Sequence, residues 1–506
     1  MRDETARGGV AGVVAAGLAL GTGELVAGVV DGVPSPVASV GAVVVDRAPA
    51  FLEDFAIAVF GTADKVALAI GIVVISLVIG WVTGVLTRAR PWVGAAVFVA
   101  FGLVGALAGI ADPLAEPVLV VGSMLVTGSA GIGALYLLLG AARQADEPTD
   151  GTPGDAARRR FIAVATAGGT MAVIAGAVGR RLVTRIPDAP VETLEPAHVT
   201  VPPPGPGHAF DVAGISPVIT PNEEFYRIDT ALVVPRIDPG DWSMRIHGMV
   251  ANEVRVSYDD ILAMDLVEEY STLACVSNEV GGNLVGNAKW TGVRLTELLD
   301  RAGVDAGATQ IVGRSVDHWT AGFPTELAFD GREPLLAVGM NGAPLPLVHG
   351  FPARIVVPGL YGYVSATKWL SDIELTRWDD FDAYWVPRGW AKEGPIRMQS
   401  RIDVPRSRAT VPSGATVVAG VAWAPLEGVD AVEVRVDEGD WLPAEVSEPL
   451  SSNTWVQWRV TVDLAAGRHV LAVRVTDGSG EVQTAEQRPP RPDGATGHHR
   501  VVVTAG

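Results

Sequence analysis

The chain has 506 residues, 48% of them apolar and 19% charged, with a mean hydropathy of +0.31. That is too apolar for a single soluble globule and too long for a single domain, so a membrane-embedded part followed by a soluble part is expected. The net charge of −19 falls almost wholly after residue 187, which excludes nucleic acid as a partner, because its phosphates would be repelled, and suits a basic protein partner or plain solubility.

Apolar runs long enough to cross a bilayer lie near 9–30, 66–86, 92–110, 117–140 and 161–179. With the N-terminus in the cytoplasm, Arg2, Arg7, Arg88, Arg90, Arg143 and Arg158 to Arg160 fall on the cytoplasmic side. Only Arg47 and Lys65 then occupy the outer loops before the last span, which is the positive-inside bias. Arg180, Arg181 and Arg185 run against it. This orientation makes the chain a multi-pass protein of the cell membrane with its soluble domains extracytoplasmic. Arg158-Arg159-Arg160-Phe161 reads equally as a stop-transfer flank or a twin-arginine export signal. None of the 8 histidines lies in a span, so no haem is expected there. Glu24 is deep in the first span, where a packed structural role is the expectation. Residues 46–61 read as a re-entrant or surface-lying helix.

Residues 1–186 are thus a transmembrane domain. Residues 187–208 are dense in proline, which favours a stiff extended tether. From 209 to 402 short strands and turns alternate: Trp242–Val250 and Gln310–Val316 read as strands, and Gly292–Ala302 as a helix. Residues 403–506 hold alternating β-branched runs separated by Gly, Asp and Pro, the pattern of an antiparallel sandwich of immunoglobulin-like type. Trp423, Trp441 and Trp458 are its expected core.

The chain has one cysteine, Cys275. An internal disulfide is therefore excluded. On the residues alone three readings stay open. The thiol is a buried spectator, a nucleophile with His318 or His349 as base, or a single thiolate holding a metal.

Five segments, in order, bear on that choice: TPNEEFYRID (220–229), LACVSN (273–278), SVDHWTAGFP (315–324), LAVGMNGAPLPLVHGFPARIVVPGLYGYVSATKWLSDIEL (336–375) and YWVPRGWAKEGPIRMQSRIDVP (384–405). Together they resemble the sulfite oxidase family of molybdopterin-dependent oxidoreductases, over about 209–506. The resemblance implies an α+β molybdopterin domain over 209–402 followed by the sandwich, which mediates dimerisation in relatives and makes a homodimer conceivable. It implies a molybdenum–molybdopterin cofactor with Cys275 as the metal ligand and oxygen-atom transfer on a small-molecule substrate. Asn222, Tyr226 and Arg227 match the loop approaching the pterin, and Arg227 also matches a substrate-facing arginine. Asp317 matches a cofactor contact, His349 and Arg354 the pair gripping the pyranopterin and phosphate, and Ser365 and Lys368 the loop closing over the phosphate. Such anions favour Arg, Lys and backbone N–H groups.

Two places depart from the sulfite-oxidising pattern. Where those proteins carry a further arginine beyond the metal cysteine, this chain has Asn278-Glu279-Val280; where they place a tyrosine after a Trp, Trp390 follows Trp385. Sulfite is therefore not the expected substrate. The cytochrome-type haem domain of the animal enzymes has no counterpart, so electrons are expected to pass to or from a separate carrier, a cytochrome or a membrane redox partner. The alternatives are a non-catalytic membrane assembly or receptor protein and a thiol-dependent hydrolase.

Overall fold

The structure is a computed structural model, described here over residues 2–49, 52, 55, 59–60, 63–146, 154–185, 191, 193–194 and 196–506. It divides into two compact units, residues 1–186 with 230–235, and residues 187–229 with 236–506.

The first unit is helical: α1 (Arg2–Val29), α2 (Pro36–Arg47), α3 (Asp64–Ala89), α4 (Trp92–Ile110), α5 (Pro117–Asp146) and α6 (Gly154–Thr184). Five of these, all but α2, are long and apolar enough to cross a membrane, at the five places the hydropathy indicated. Many of their large apolar side chains point outward (Val78, Leu103, Leu107, Leu125 and Val173 are exposed), while glycines, small polar residues and a smaller apolar cluster with Phe98, Leu135 and Leu138 lie inside. That inversion suits helices surrounded by lipid, where close backbone packing replaces the hydrophobic effect. A methyl group at Gly12 of α1 would lie 1.9 Å from the Gly80 carbonyl oxygen of α3, and one at Gly84 would lie 2.1 Å from the Gly8 oxygen. Along the other side of α1, Gly21 faces Ala172 and Gly28 faces Gly179 of α6.

Helix α2 was not expected, although Ser35-Pro36 is an N-cap and first-turn pair that marks it. Ser35 Oγ accepts from Ala38 N at 3.1 Å and donates to Glu24 Oε1 at 2.6 Å, and Val37 N donates to the same oxygen at 3.3 Å. Glu24, buried as its position suggested, therefore anchors the start of α2. Half of the segment 46–61 lies outside the described residues, and Asp46 and Arg47 end α2.

In the second unit, the described residues of the stretch read as a tether hold no helix beyond a 3-10 turn at Pro206–His208. It does not hang free: Val199 pairs with Val267, and Glu268 N donates to Val199 O at 2.8 Å. One sheet runs β2 (Val254–Ser257), β1 (Ser243–Gly248), β10 (Leu370–Thr376), β5 (Gln310–Ser315), β6 (Thr320–Pro324). A second runs β3 (Val267–Ala274), β4 (Val285–Arg294), β7 (Leu335–Met340), β8 (Ala343–Pro344), with β9 (Arg354–Val356) also on β7. Short helices α7 (Tyr258–Leu262), α8 (Leu295–Ala302) and α9 (Gly362–Ser365) join them. The helix expected at Gly292–Ala302 starts only at Leu295. Gly292, Val293 and Arg294 finish β4, paired with Ala337, Leu336 and Leu335, and a methyl at Gly292 would lie 2.1 Å from Leu336 O. Tertiary pairing thus overrides the local helical spacing.

The C-terminal part forms two further sheets, β11 (Gln399–Val404), β13 (Gly414–Trp423), β17 (Val456–Leu464), β16 (Glu445–Val446) and β12 (Thr410–Val411), β19 (His499–Ala505), β18 (Gly467–Asp477), β14 (Val429–Val436), β15 (Trp441–Pro443). Their inward residues share one core that includes Val418, Val434, Trp458, Leu471 and Val503. Pairing begins at Gln399↔Trp423, so these sheets take in Gln399–Ile402 as well. Trp458 and Trp423 are buried as expected, but Trp441 is not core. On the short β15 it lies between the guanidiniums of Arg435 (5.0 Å) and Arg474 (4.3 Å), a half-exposed cation–π stack.

Candidate cofactor and active site

Cys275 is the first residue beyond β3. Its N–H extends the β3–β4 ladder to Leu284 O (2.9 Å), and its carbonyl accepts from Asn278 N (3.0 Å) as the chain turns away. The pairing thus fixes the thiol at the mouth of a strand, almost fully buried. Burial pushes the thiol up, against hydrogen bonds from Ser277. A nucleophilic cysteine needs the opposite shift. His318 is exposed on the β5–β6 turn, and His349 directs Nε2 to Asn222 O (2.8 Å), so neither is set as a base on the sulfur. The arrangement does not support the hydrolase reading.

A cluster of cations forms at the other end of the site. Arg354, on β9, is 6% exposed; Nη1 donates to His349 O (3.0 Å), and its plane lies 5.0 Å from the Trp290 ring. Its Nε is buried with no partner among the described residues. Burial lowers its pKa to about 10. Lys368 Nζ donates to Asp229 Oδ2 (2.7 Å) and Val348 O (3.1 Å) and has its pKa lowered to about 8, by burial first and then by Arg354 and Arg227, against the pull of Asp229. Arg227 Nε donates to the same Asp229 oxygen at 2.8 Å. His349 is held down at about 4, chiefly by burial and further by the charges of Arg354, Lys368 and Arg227, so it is neutral at pH 7. Lys368 and Arg227 thus share one carboxylate, while the third cation, Arg354, is buried without any anionic partner among the described residues. An unpaired buried charge is strongly unfavourable, so the site calls for an anion such as a phosphate.

Tyr226 spans the two ends. It stacks on Phe225 (5.2 Å between centroids), which stands edge-on to His349 (5.6 Å) and Trp290 (5.8 Å). Its phenol pKa is raised by burial and by Cys275, while Arg354 acts the other way. Asn222 builds the turn beneath: Nδ2 donates to Met340 O (3.2 Å), and Oδ1 accepts from Asn341 Nδ2 (2.8 Å).

Asn222, Tyr226, Arg227, His349, Arg354, Lys368 and, through Tyr226, Cys275 are therefore brought together. Ser365, at the end of α9, is buried with its hydroxyl donated inward to Tyr361 O at 3.1 Å. Asp317 closes its own turn, accepting from Trp319 N at 3.2 Å. Among the described residues no hydrogen bond or ion pair joins it to the others. Asp229 and Asn341 were missed. Asp229 follows Arg227 by two in an extended segment, a spacing that puts both on one face. Asn341 shows no local signal beyond Asn-Gly; it holds a positive φ of 55°.

At the departures, Asn278 Oδ1 accepts from Leu284 N (2.8 Å), Glu279 is exposed, and Trp390 packs against Tyr363 (6.0 Å) and Trp385 (6.4 Å).

Residues 231–385 match the family described as "oxidoreductase molybdopterin binding domain". The chain is similar to human mitochondrial sulfite oxidase, 29% identical over 310 residues that make up 51% of this chain and 56% of that protein. It is 32% identical over 157 residues to the uncharacterized oxidoreductase YuiH of Bacillus subtilis, covering 31% of this chain and 76% of that protein. Among solved structures, the sulfane dehydrogenase SoxCD of Paracoccus pantotrophus shares the fold, with a TM-score of 0.50 and 21% identity over 63% of this chain and 90% of its own. The chain thus spans just over half the length of the mammalian sulfite oxidases it matches.

Proposed function

This chain belongs to the sulfite oxidase family of molybdopterin-dependent oxidoreductases, and from that premise we propose a membrane-anchored enzyme that transfers an oxygen atom to or from a small uncharged substrate outside the cytoplasm. The observation that carries the reading is the buried, anion-lacking Arg354 with Lys368 and Arg227 at one end of Tyr226 and the chain's single cysteine at the other.

In this reading Arg354, Lys368 and the neutral His349 hold the anionic and pterin portions of the cofactor, and Cys275 ligates the metal. The cofactor, when bound, supplies the two-electron oxygen-transfer chemistry. The chain's residues bind, orient and exclude water. Asn222 and Asn341 fix the turn that carries Tyr226 and Arg227, and Phe225, Trp290 and Trp369 wall the cation end. Asp317 and Ser365 act by shaping the turns around the cofactor. Glu279 just beyond Cys275, together with the aromatic wall of Trp385 and Trp390, disfavours an anion such as sulfite and favours a neutral one, an S-oxide or N-oxide.

The five apolar helices serve as the anchor. The acidic second unit suits a basic electron carrier. The C-terminal sheets are assigned to an immunoglobulin-like sandwich and offer a face for a homodimer.

Metal analysis tests the proposal. Protein from a cofactor-competent host is expected to hold about one molybdenum per chain and Cys275→Ser to lose turnover in a dye-linked screen of sulfite, S-oxides and N-oxides. Metal-free wild-type protein would refute it.

A further inference from the structure

Two phenols, not one, lie next to Cys275. Tyr361 immediately precedes α9 and is 2% exposed. The backbone that follows it runs alongside the end of the strand that leads to the cysteine: a methyl at Gly362 would be in ordinary contact, at 3.9 Å, with both Ala274 O and Tyr226 Oη. The Tyr361 oxygen accepts from Arg397 N at 3.2 Å. Its own proton has no acceptor among the described residues. A buried hydroxyl left without an acceptor is unfavourable, so such a proton marks a place where a non-protein oxygen belongs.

The hydroxyl is held from the C-terminal sheets. The guanidinium of Arg397 pairs with the Asp493 carboxylate, and Nε reaches Asp493 O at 3.4 Å. Gly494, at φ 103°, passes so near that a methyl there would lie 2.5 Å from Tyr361 Oη. Pro492 O accepts from Ala391 N at 3.0 Å, and Tyr361 N donates to Gly394 O at 2.7 Å. The connection between β18 and β19 therefore approaches Tyr361 Oη closely, and Cys275 is near enough for its charge to act on the same phenol. Burial raises the phenol to about 12, with Arg397 opposing and the charge at Cys275 adding to the rise, so it stays a proton donor throughout the neutral range.

We infer that Tyr361 is a substrate-facing hydrogen-bond donor at the Cys275 site, and that Arg397, Asp493 and Gly494 are positioning residues which hold it there. The C-terminal sheets are then part of the reaction site. This rests on the reading of Cys275 as the metal ligand. A donor aimed where oxygen is exchanged acts on developing charge, which is where a fixed hydrogen bond is most effective.

The test is the molybdenum(V) electron paramagnetic resonance spectrum of dithionite-reduced full-length protein, in water and in deuterium oxide, with molybdenum content measured on the same samples. Tyr361→Phe keeps the ring and removes only the hydroxyl. It is expected to retain molybdenum but to lose coupling to an exchangeable proton. Asp493→Asn should shift the spectrum in the same direction and Asp493→Glu should bring it back, which a merely structural residue would not do. Gly494→Ala, if it folds, should resemble Tyr361→Phe. Full molybdenum with a wild-type spectrum in Tyr361→Phe overturns this inference and leaves the cofactor reading standing. Absence of molybdenum from wild-type protein overturns both.

Discussion

Lys368 and Arg227 converge on one atom: Nζ of the first and Nε of the second both donate to Asp229 Oδ2, at 2.7 and 2.8 Å. The Asp229 side chain is 4% exposed and that of Lys368 11%, so the pair is desolvated. In the absence of an anionic ligand this carboxylate is what keeps two like charges side by side. Asp229→Asn is therefore expected to destabilise cofactor-free protein by about 3–5 kcal/mol, the range for a buried ion pair that loses one member. The same change leaves the site more positive, so it should not weaken cofactor retention. Thermal unfolding with and without cofactor checks both signs; equal destabilisation in the two states would contradict the arrangement.

Arg354 gives the opposite pattern. Its charge is buried, pairs with a carbonyl rather than a carboxylate, and keeps Nε unsatisfied. Arg354→Met keeps most of the volume and removes the desolvation cost, at the loss of the contact with Trp290. Cofactor-free protein should be as stable as wild type or more so, while molybdenum content falls by about tenfold or more, the loss of a charge-assisted contact of ~1.5–3 kcal/mol. A variant that loses stability and keeps its molybdenum would show that Arg354 is structural.

Much of this was legible in the chain because the cations of the site sit in short glycine- and proline-rich segments whose order is itself informative. The five long apolar helices were legible because each is a run of the length and polarity that a bilayer crossing would require. What escaped depended on distant partners. Asp229 is an ordinary acid until Lys368, far along the chain, is known to reach it. Trp441 looks like core by composition, but its strand β15 ends its sheet, and there the ring meets the guanidiniums on β14 and β18. Gly292–Arg294 has helical spacing, but β7 claims it as strand. Tyr361 gave no signal because its hydroxyl is held by the distant Arg397 N and approached by Gly494 more than a hundred residues later.

Acid should weaken the fold through two histidines. His349 and His499 are each held down at about 4, in both cases chiefly by burial, with Arg354, Lys368 and Arg227 adding to it for the first and Arg401 for the second. In the unfolded chain both titrate near 6.5. Between these values the unfolded state binds protons that the folded state does not. The stabilising contribution is thus complete above about pH 6.5 and is lost as pH falls toward 4, by up to about 3 kcal/mol for each residue. His349→Gln should remove about half of this slope in unfolding measurements from pH 7 to pH 4.5. A bound anion beside His349 favours its protonated form, so loaded protein should show a shallower slope; an unchanged slope in the variant would refute the assignment.

The glycine seams of the helical unit make a separate prediction. A methyl at Gly12 would meet Gly80 O at 1.9 Å, and one at Gly84 would meet Gly8 O at 2.1 Å, with backbone on both sides and nothing flexible to yield. By contrast, a methyl at Gly71 or Gly122 would meet nothing within 4 Å. Gly12→Leu and Gly84→Leu should therefore separate α1 from α3 and lower the melting temperature of detergent-solubilised protein by several degrees, as expected for a loss of about 1–3 kcal/mol from overpacking. Gly71→Leu and Gly122→Leu should be neutral. All four are expected to keep their molybdenum, since the residues assigned to the cofactor lie within the second unit. Neutral behaviour of Gly12→Leu would show that α1 and α3 are not packed backbone to backbone, and loss of molybdenum in Gly71→Leu would show that the helical unit does more than anchor.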